Sequence, residues 1–158
     1  PLYSSAASDV YKRQVIQRVK SASVTIDGKL YSEIKHGLLV LYGVEKGDTE
    51  DISKYICEKM LKLRIFEDEN NKMNLSVKDV EGELLIVSQF TLAGDTRKGT
   101  RPSFDAAMPP KDAEIMYNNF VEMAKSSGLQ VKTGVFGAMM DVALINDGPV
   151  TFILEKKA

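Results

Sequence analysis

The sequence predicts an α/β fold of the α+β kind, with layered mixed or antiparallel β-sheets and two helices packed on one face. Three observations predict it. Runs of strand-like alternation follow Arg13 and close the chain, helical spacing of apolar residues appears in only two windows, and the order of the elements favours antiparallel neighbours. No repeat of 20–50 residues and no low-complexity segment interrupts this pattern.

The elements follow in order. Residues 1–12, PLYSSAASDVYK, lack the periodicity that begins at Arg13 and lack the apolar core of a secretory signal. They are expected to be an extension, a cloning remnant or a translated artefact, which leaves 13–158 as a single domain. Residues 13–34 hold two β-rich runs folded over Asp27-Gly28, a strong hairpin signal between alternating runs. GLLVLYGV, 37–44, is too continuously apolar for a half-exposed strand and reads as a buried one. Ile52, Tyr55, Ile56, Met60 and Leu63 recur at helical spacing behind Asp48, a candidate N-cap, so a first helix is expected over 49–63. A strand, a polar turn and a short strand follow, and then ELLIVSQFTL as a second buried strand. The Gly-, Pro- and charge-rich stretch 93–110 is a loop. A second helix is expected over 111–127, with Ile115, Phe120, Met123 and Ala124 on its apolar side and Gly128 at its end. Three strands close the chain: LQVKTGVF, AMMDVALI and PVTFILEK. Met139 and Met140, within the second of them, read as core or interface filler.

Bulk properties narrow the function. The chain of 158 residues is 44% hydrophobic and 27% charged, as soluble globular proteins are, with no membrane-spanning run. Its formal net charge of -1 means that a polyanionic partner has to be met by a local basic patch. One Cys, Cys57, excludes an intramolecular disulfide and suits a reducing, cytoplasmic compartment. One His, His36, leaves no zinc-spaced cluster, so no metal and no cofactor are expected. His36, a lone polar residue at a strand entrance, reads as structural.

Two polar stretches and one turn remain as candidate chemistry. SQFTL, with Ser88, Gln89, Phe90 and Thr91, ends a buried strand beside a glycine-rich loop, where a rigid scaffold meets unpaired backbone. Thr91 as a nucleophile would need a base that no neighbouring His, Lys or Glu is spaced to supply. DTRKGTRPSF places Arg97, Lys98 and Arg101 on a loop with Phe104 just beyond, a composition that can hold phosphates and stack a base at a single-stranded RNA end. In NDGPVTFIL, Gly148-Pro149 stands immediately before an alternating run. Locally this reads as a turn ending at the first residue of a strand, where Pro is tolerated.

Three stretches taken together, VIQRVKSASVTIDG, SQFTL with TRKGTRPSF, and NDGPVT, resemble the D-aminoacyl-tRNA deacylase family over nearly the whole chain. The main departure is the small Ala93-Gly94, where many relatives carry an aromatic residue. The resemblance implies a homodimer with its active site at the subunit interface. It also implies that Gly148-Pro149 is a Gly-cis-Pro motif inserted into the partner's site, braced by Arg18. Its carbonyls would accept the ammonium of a D-aminoacyl group and form a wall against an L side chain, letting glycine pass. The implied reaction is hydrolysis of the ester joining a D-amino acid, or glycine, to the 3′-terminal adenosine of tRNA, which recycles mischarged tRNA. Ser88, Gln89, Phe90 and Thr91 would hold the ester while the tRNA 2′-hydroxyl assists, or Thr91 would attack it, and Arg97, Lys98 and Arg101 would meet the tRNA. Two other functions fit the residues alone: an RNA-end binding module without turnover, and a small-molecule esterase.

Overall fold

Asp27 and Gly28 take φ of 50° and 77°, the pair of left-handed conformations that a two-residue hairpin needs. They fold β1 (Tyr11–Ile26) back on β2 (Lys29–Ile34), antiparallel. The computed structural model describes residues 11–157, so most of the expected N-terminal extension lies outside the described residues. β1 nevertheless opens at Tyr11, ahead of the sequence periodicity. Lys12 is buried there, its ammonium donating to the Gly43 carbonyl and lying 3.5 Å from the centre of the Tyr42 ring. Burial lowers its pKa to about 7.

β3 (Gly37–Tyr42) lies antiparallel to the first half of β1, and β6 (Glu83–Ser88) runs parallel beside β3. β7 (Val131–Thr133) continues the sheet in parallel, while β8 (Asp141–Lys157) covers the length of β1 on its other side. β4 (Phe66–Glu67) and β5 (Met73–Leu75) form a separate ribbon. In place of layered sheets, a single mixed six-stranded sheet curls until it is nearly closed like a barrel. The cause lies in β1 and β8. Their pairing shifts register between Gln17 and Val19 and again before Ser21, and such bulges bend and twist a strand. β1 therefore holds β3 on one half and β2 on the other, and β2 swings round until Ser32 Oγ donates to the Thr133 carbonyl at 2.6 Å.

The same bulge removes one expected boundary. The expected AMMDVALI strand begins only at Asp141, and DVALI and PVTFILEK belong to one strand, because Asn146 pairs with Val19 and Thr151 with Gln17 on either side of it. Asp147-Gly148 is consequently not a hairpin turn.

Both helices lie on one face, as expected. α1 (Glu50–Lys62) starts one residue later than the apolar spacing suggested, and its cap is Thr49, whose Oγ1 accepts from Ile52 N at 3.3 Å. Asp48 instead accepts from Glu45 N in the preceding turn. α2 (Pro110–Lys125) begins with Pro at a first-turn position, where its missing donor is harmless. Gly128 follows its end at φ 86°. Leu38, Val40, Tyr42, Leu84 and Ile86 face the helices, packing with Ile56, Met60 and Phe120. Leu39, Leu85 and Val87 face into the curl of the sheet with Val19 and Val24. Burial on both faces is why these strands read as continuous apolar runs.

Candidate active site

β6 ends sooner than its apolar run suggests. It stops at Ser88, and the backbone N–H of Gln89 makes the last rung to the Tyr42 carbonyl at 2.8 Å. Phe90–Ala93 then form a 3₁₀ turn. That turn tucks against the end of β3, where a Cβ on Gly43 would come within 2.9 Å of Leu92 Cβ. The strand end and turn border a cavity of about 620 Å³ lined by Ser88, Gln89 and Phe90 on one side and Met108, Pro109 and Met140 on another. An apolar slot with a polar lip suits a flat ring and its attached polar groups. Phe90, 59% exposed, meets the Phe104 ring at 5.2 Å between centroids. Ala93 is buried, and a Cβ on Gly94 would lie 3.1 Å from the Phe104 ring, so the small pair lets this loop close on Phe104. Thr91 is exposed, and its hydroxyl accepts a hydrogen bond from the Gln89 side-chain amide.

The basic loop is partly self-satisfied. Backbone bonds between Asp95 and Ser103 at 2.7 and 2.9 Å pin its base. Arg97 is bound by Asp95 through two side-chain bonds at 2.9 and 2.8 Å, and these hold the Asp95 carboxyl down at about 2. Lys98 and Arg101 are exposed.

Gly148 and Pro149 stand elsewhere, exposed on the β8 bulge, and the bond between them is cis. Gly148 has φ 136°, and a Cβ there would come within 2.7 Å of Val150 Cγ2 and 3.3 Å of Arg18 Nη2. Arg18, 4% exposed, ties this corner to the body of the protein. Its Nε donates to the Asp147 carbonyl at 3.0 Å and its Nη1 to the Ile65 carbonyl at 2.7 Å. The Asp147 carboxylate also faces Arg18 Nε at 3.4 Å and His36 Nε2 at 3.3 Å, while His36 packs edge-on against Phe66. Sequence reasoning read His36 as structural and did not connect it to this corner. His36 and Asp147 lie far apart in the chain, and β1 brings them together by pairing Val19 with Gly37 on one side and with Asn146 on the other.

The structure therefore groups Ser88, Gln89 and Phe90 at one cavity, with Thr91 beside it through its bond to Gln89, and Arg18, Gly148 and Pro149 at another place. The lining of the Ser88 cavity includes none of the second group. Among the described residues, no group of three or more His, Cys, Asp or Glu is placed to hold a metal ion, and no helix is long and apolar enough to cross a membrane.

The sequence profile of the family described as D-Tyr-tRNA(Tyr) deacylase matches residues 15–155. A D-aminoacyl-tRNA deacylase of Thermosipho africanus is 57% identical over 92% of this chain and 97% of its own length. Another, from Thermodesulfovibrio yellowstonii, is 53% identical over 90% of this chain and 98% of its own. Among solved structures, a c-Myc DNA unwinding element binding protein superposes with a TM-score of 0.87 at 45% identity, over 92% of this chain and 99% of that one. A protein described as a probable eukaryotic D-amino acid tRNA deacylase shares the fold, with a TM-score of 0.82 at 17% identity over 93% of this chain and 100% of that one. With a profile that spans almost the entire sheet and helices, and relatives more than half identical along it, the chain belongs to the D-aminoacyl-tRNA deacylase family, whose members are hydrolases.

Proposed function

We propose that this protein hydrolyses the ester between a D-amino acid, or glycine, and the 3′-terminal adenosine of tRNA, as a cytoplasmic homodimer. In it the Gly148-Pro149 corner of one protomer meets the Ser88 cavity of the other. The observation that carries this reading is the division of labour between the two places. The cavity offers an apolar slot and polar groups for an adenosine ester, and its lining includes neither Gly148 nor Pro149. Gly148 and Pro149 are exposed, offer backbone carbonyls and no functional side-chain group of their own, and stand on a corner held by a buried arginine. Neither half suffices alone, and two-fold pairing would complete both sites together. A surface for that pairing is available on β8, whose ladder is made with β1 alone among the described strands and whose Ile145 and Ile153 are 59% and 62% exposed.

An aminoacyl ester is already activated, so orientation and a held carbonyl supply most of what hydrolysis needs. The backbone at the opening of the 90–93 turn provides donors for the ester carbonyl, since the first N–H groups of a helical turn have no partners within it. Gln89 and Thr91 position the ester, and the neighbouring 2′-hydroxyl of the tRNA assists the attacking water. Chirality follows from a rigid backbone wall, and a wall that barely touches the D side chain accepts many of them. Lys98 and Arg101, with Arg97 beside them, face the tRNA.

The test is release of amino acid from matched D-tyrosyl-, L-tyrosyl- and glycyl-tRNA under single-turnover conditions. Release of D-tyrosine and glycine with L-tyrosine spared is expected. Binding without release would favour an RNA-end module, and equal cleavage of simple D-amino acid esters lacking any nucleotide would favour a small-molecule esterase.

A further inference from the structure

A groove of about 690 Å³ between α1 and the last part of β8 takes no part in the site described above. Tyr55, Lys59, Lys62, Arg64, Ile65 and Phe152 line it, with Glu58 as its one acid. Lys156 adds its ammonium 4.8 Å from the centre of the Tyr55 ring. Tyr55 and Phe152, both lining the groove, are 44% and 40% exposed, so their rings are open to a ligand. Arg64 is fixed by Asn74, its Nε donating to the backbone carbonyl at 3.0 Å and its Nη2 to the side-chain oxygen. Lys59 and Lys62 are exposed and make no ion pair among the described residues.

Cations in the last turn of a helix complement its dipole, but that role calls for no aromatic rings and no cleft. Unpaired ammonium groups beside exposed rings are the composition that tracks a sugar-phosphate strand and stacks its bases without reading them. In a chain whose net charge is -1, such a patch is also where a polyanion gains the most. The groove leads to the Gly148-Pro149 corner by two routes. Phe152 follows Pro149 along β8 by about 10 Å, and the Ile65 carbonyl on the groove wall accepts from Arg18, which holds the corner.

We propose that this groove seats the acceptor end of the tRNA, with Lys59, Lys62 and Lys156 on phosphates and Tyr55 and Phe152 against bases, an inference that rests on the deacylase reading above. Contacts of this kind are indifferent to base sequence. They hold tRNAs of many identities equally, as a filter for the amino acid's handedness requires.

The experiment compares the full-length wild type with the double variant Lys59→Glu, Lys62→Glu on two substrates: D-tyrosyl-tRNA, and the D-tyrosyl ester of adenosine, which has no polynucleotide. The double variant is expected to raise KM for D-tyrosyl-tRNA at least about tenfold with kcat little changed, and to flatten the dependence of log KM on log salt by about 1 to 2. Its cleavage of the adenosine ester should match wild type, and Lys59→Arg, Lys62→Arg should restore the tRNA KM. An unchanged KM and salt slope would overturn the proposal. So would equal losses on both substrates, or loss of the dimer in sedimentation, which would make the groove a subunit contact. Binding of uncharged tRNA is measured in parallel. A wild type that fails to hydrolyse D-tyrosyl-tRNA then sinks the deacylase reading, while the difference in binding still decides the groove.

Discussion

Thr91 is exposed at the 3₁₀ turn, and the hydrogen bond on its hydroxyl comes from an amide, which cannot act as a base. Thr91→Ala is therefore expected to slow deacylation far less than the roughly millionfold loss that follows removal of a covalent nucleophile. Rapid quench of the variant and a search for an acyl group on wild-type Thr91 check this, and a trapped acyl-enzyme would refute it. Arg18 acts differently, because its guanidinium satisfies two carbonyls at once. Arg18→Ala leaves the buried Ile65 carbonyl unpaired, at about 1–3 kcal/mol, and frees the corner. Arg18→Lys should not rescue it, since one ammonium cannot reproduce the planar fork. In rates on D- and L-tyrosyl-tRNA, both Arg18 variants should lose chiral preference, whereas Gln89→Ala should lose rate and keep preference. The residues that sequence reasoning placed well are those whose role is local, such as Asp27-Gly28 in its turn. Sequence reasoning places Arg97 with Lys98 and Arg101 among the cations that can hold phosphates. The bond of Arg97 to Asp95, two positions away, could have been noticed in the sequence, but that pairing depends on the Asp95–Ser103 bridge that folds the loop.

At the scale of elements, the tightest constraint is where β3 and β6 begin to pair. Gly37 lies opposite Glu83, and a Cβ on it would fall 1.9 Å from the Glu83 carbonyl oxygen. No side-chain rotation relieves a clash with backbone. Gly37→Ala is expected to part these strands at their first rung and lower the thermal midpoint by at least several degrees, as circular dichroism would record; an unshifted midpoint would contradict it. The two helices and the buried strands were legible because their periodicities differ, 3.6 against an unbroken apolar run. The fusion of the last two strands was not legible. Asp-Gly-Pro carries every local mark of a turn, and what carries the strand through it is a ladder to residues 14–19 at the other end of the chain.

For the whole molecule, the separation of the Ser88 cavity from the Gly148-Pro149 corner predicts that activity and assembly go together. Sedimentation at decreasing concentration should show deacylation per chain falling as dimers dissociate, and a fully active monomer would contradict the shared site. A charge introduced at Ile153, on the exposed face of β8, should shift both curves together. The curl of the sheet into near closure escaped sequence reasoning because closure is decided by two register shifts in one pair of long strands. β8 carries further consequences. Along it lie contacts to the inner core, the Gly148-Pro149 corner and the groove residues Phe152 and Leu154. Its parts are thus geared like teeth on one rack. Substituting a tooth has a local effect, but adding one residue after Val150 turns every later side chain to the opposite face, moving Phe152 and Leu154 out of the groove and Ile153 into it. This segment should accept changes of letter far more readily than changes of length. Paired libraries of substitutions and single-residue insertions over 150–155, scored for soluble dimer and D-tyrosyl-tRNA cleavage, would show survivors almost entirely among the substitutions.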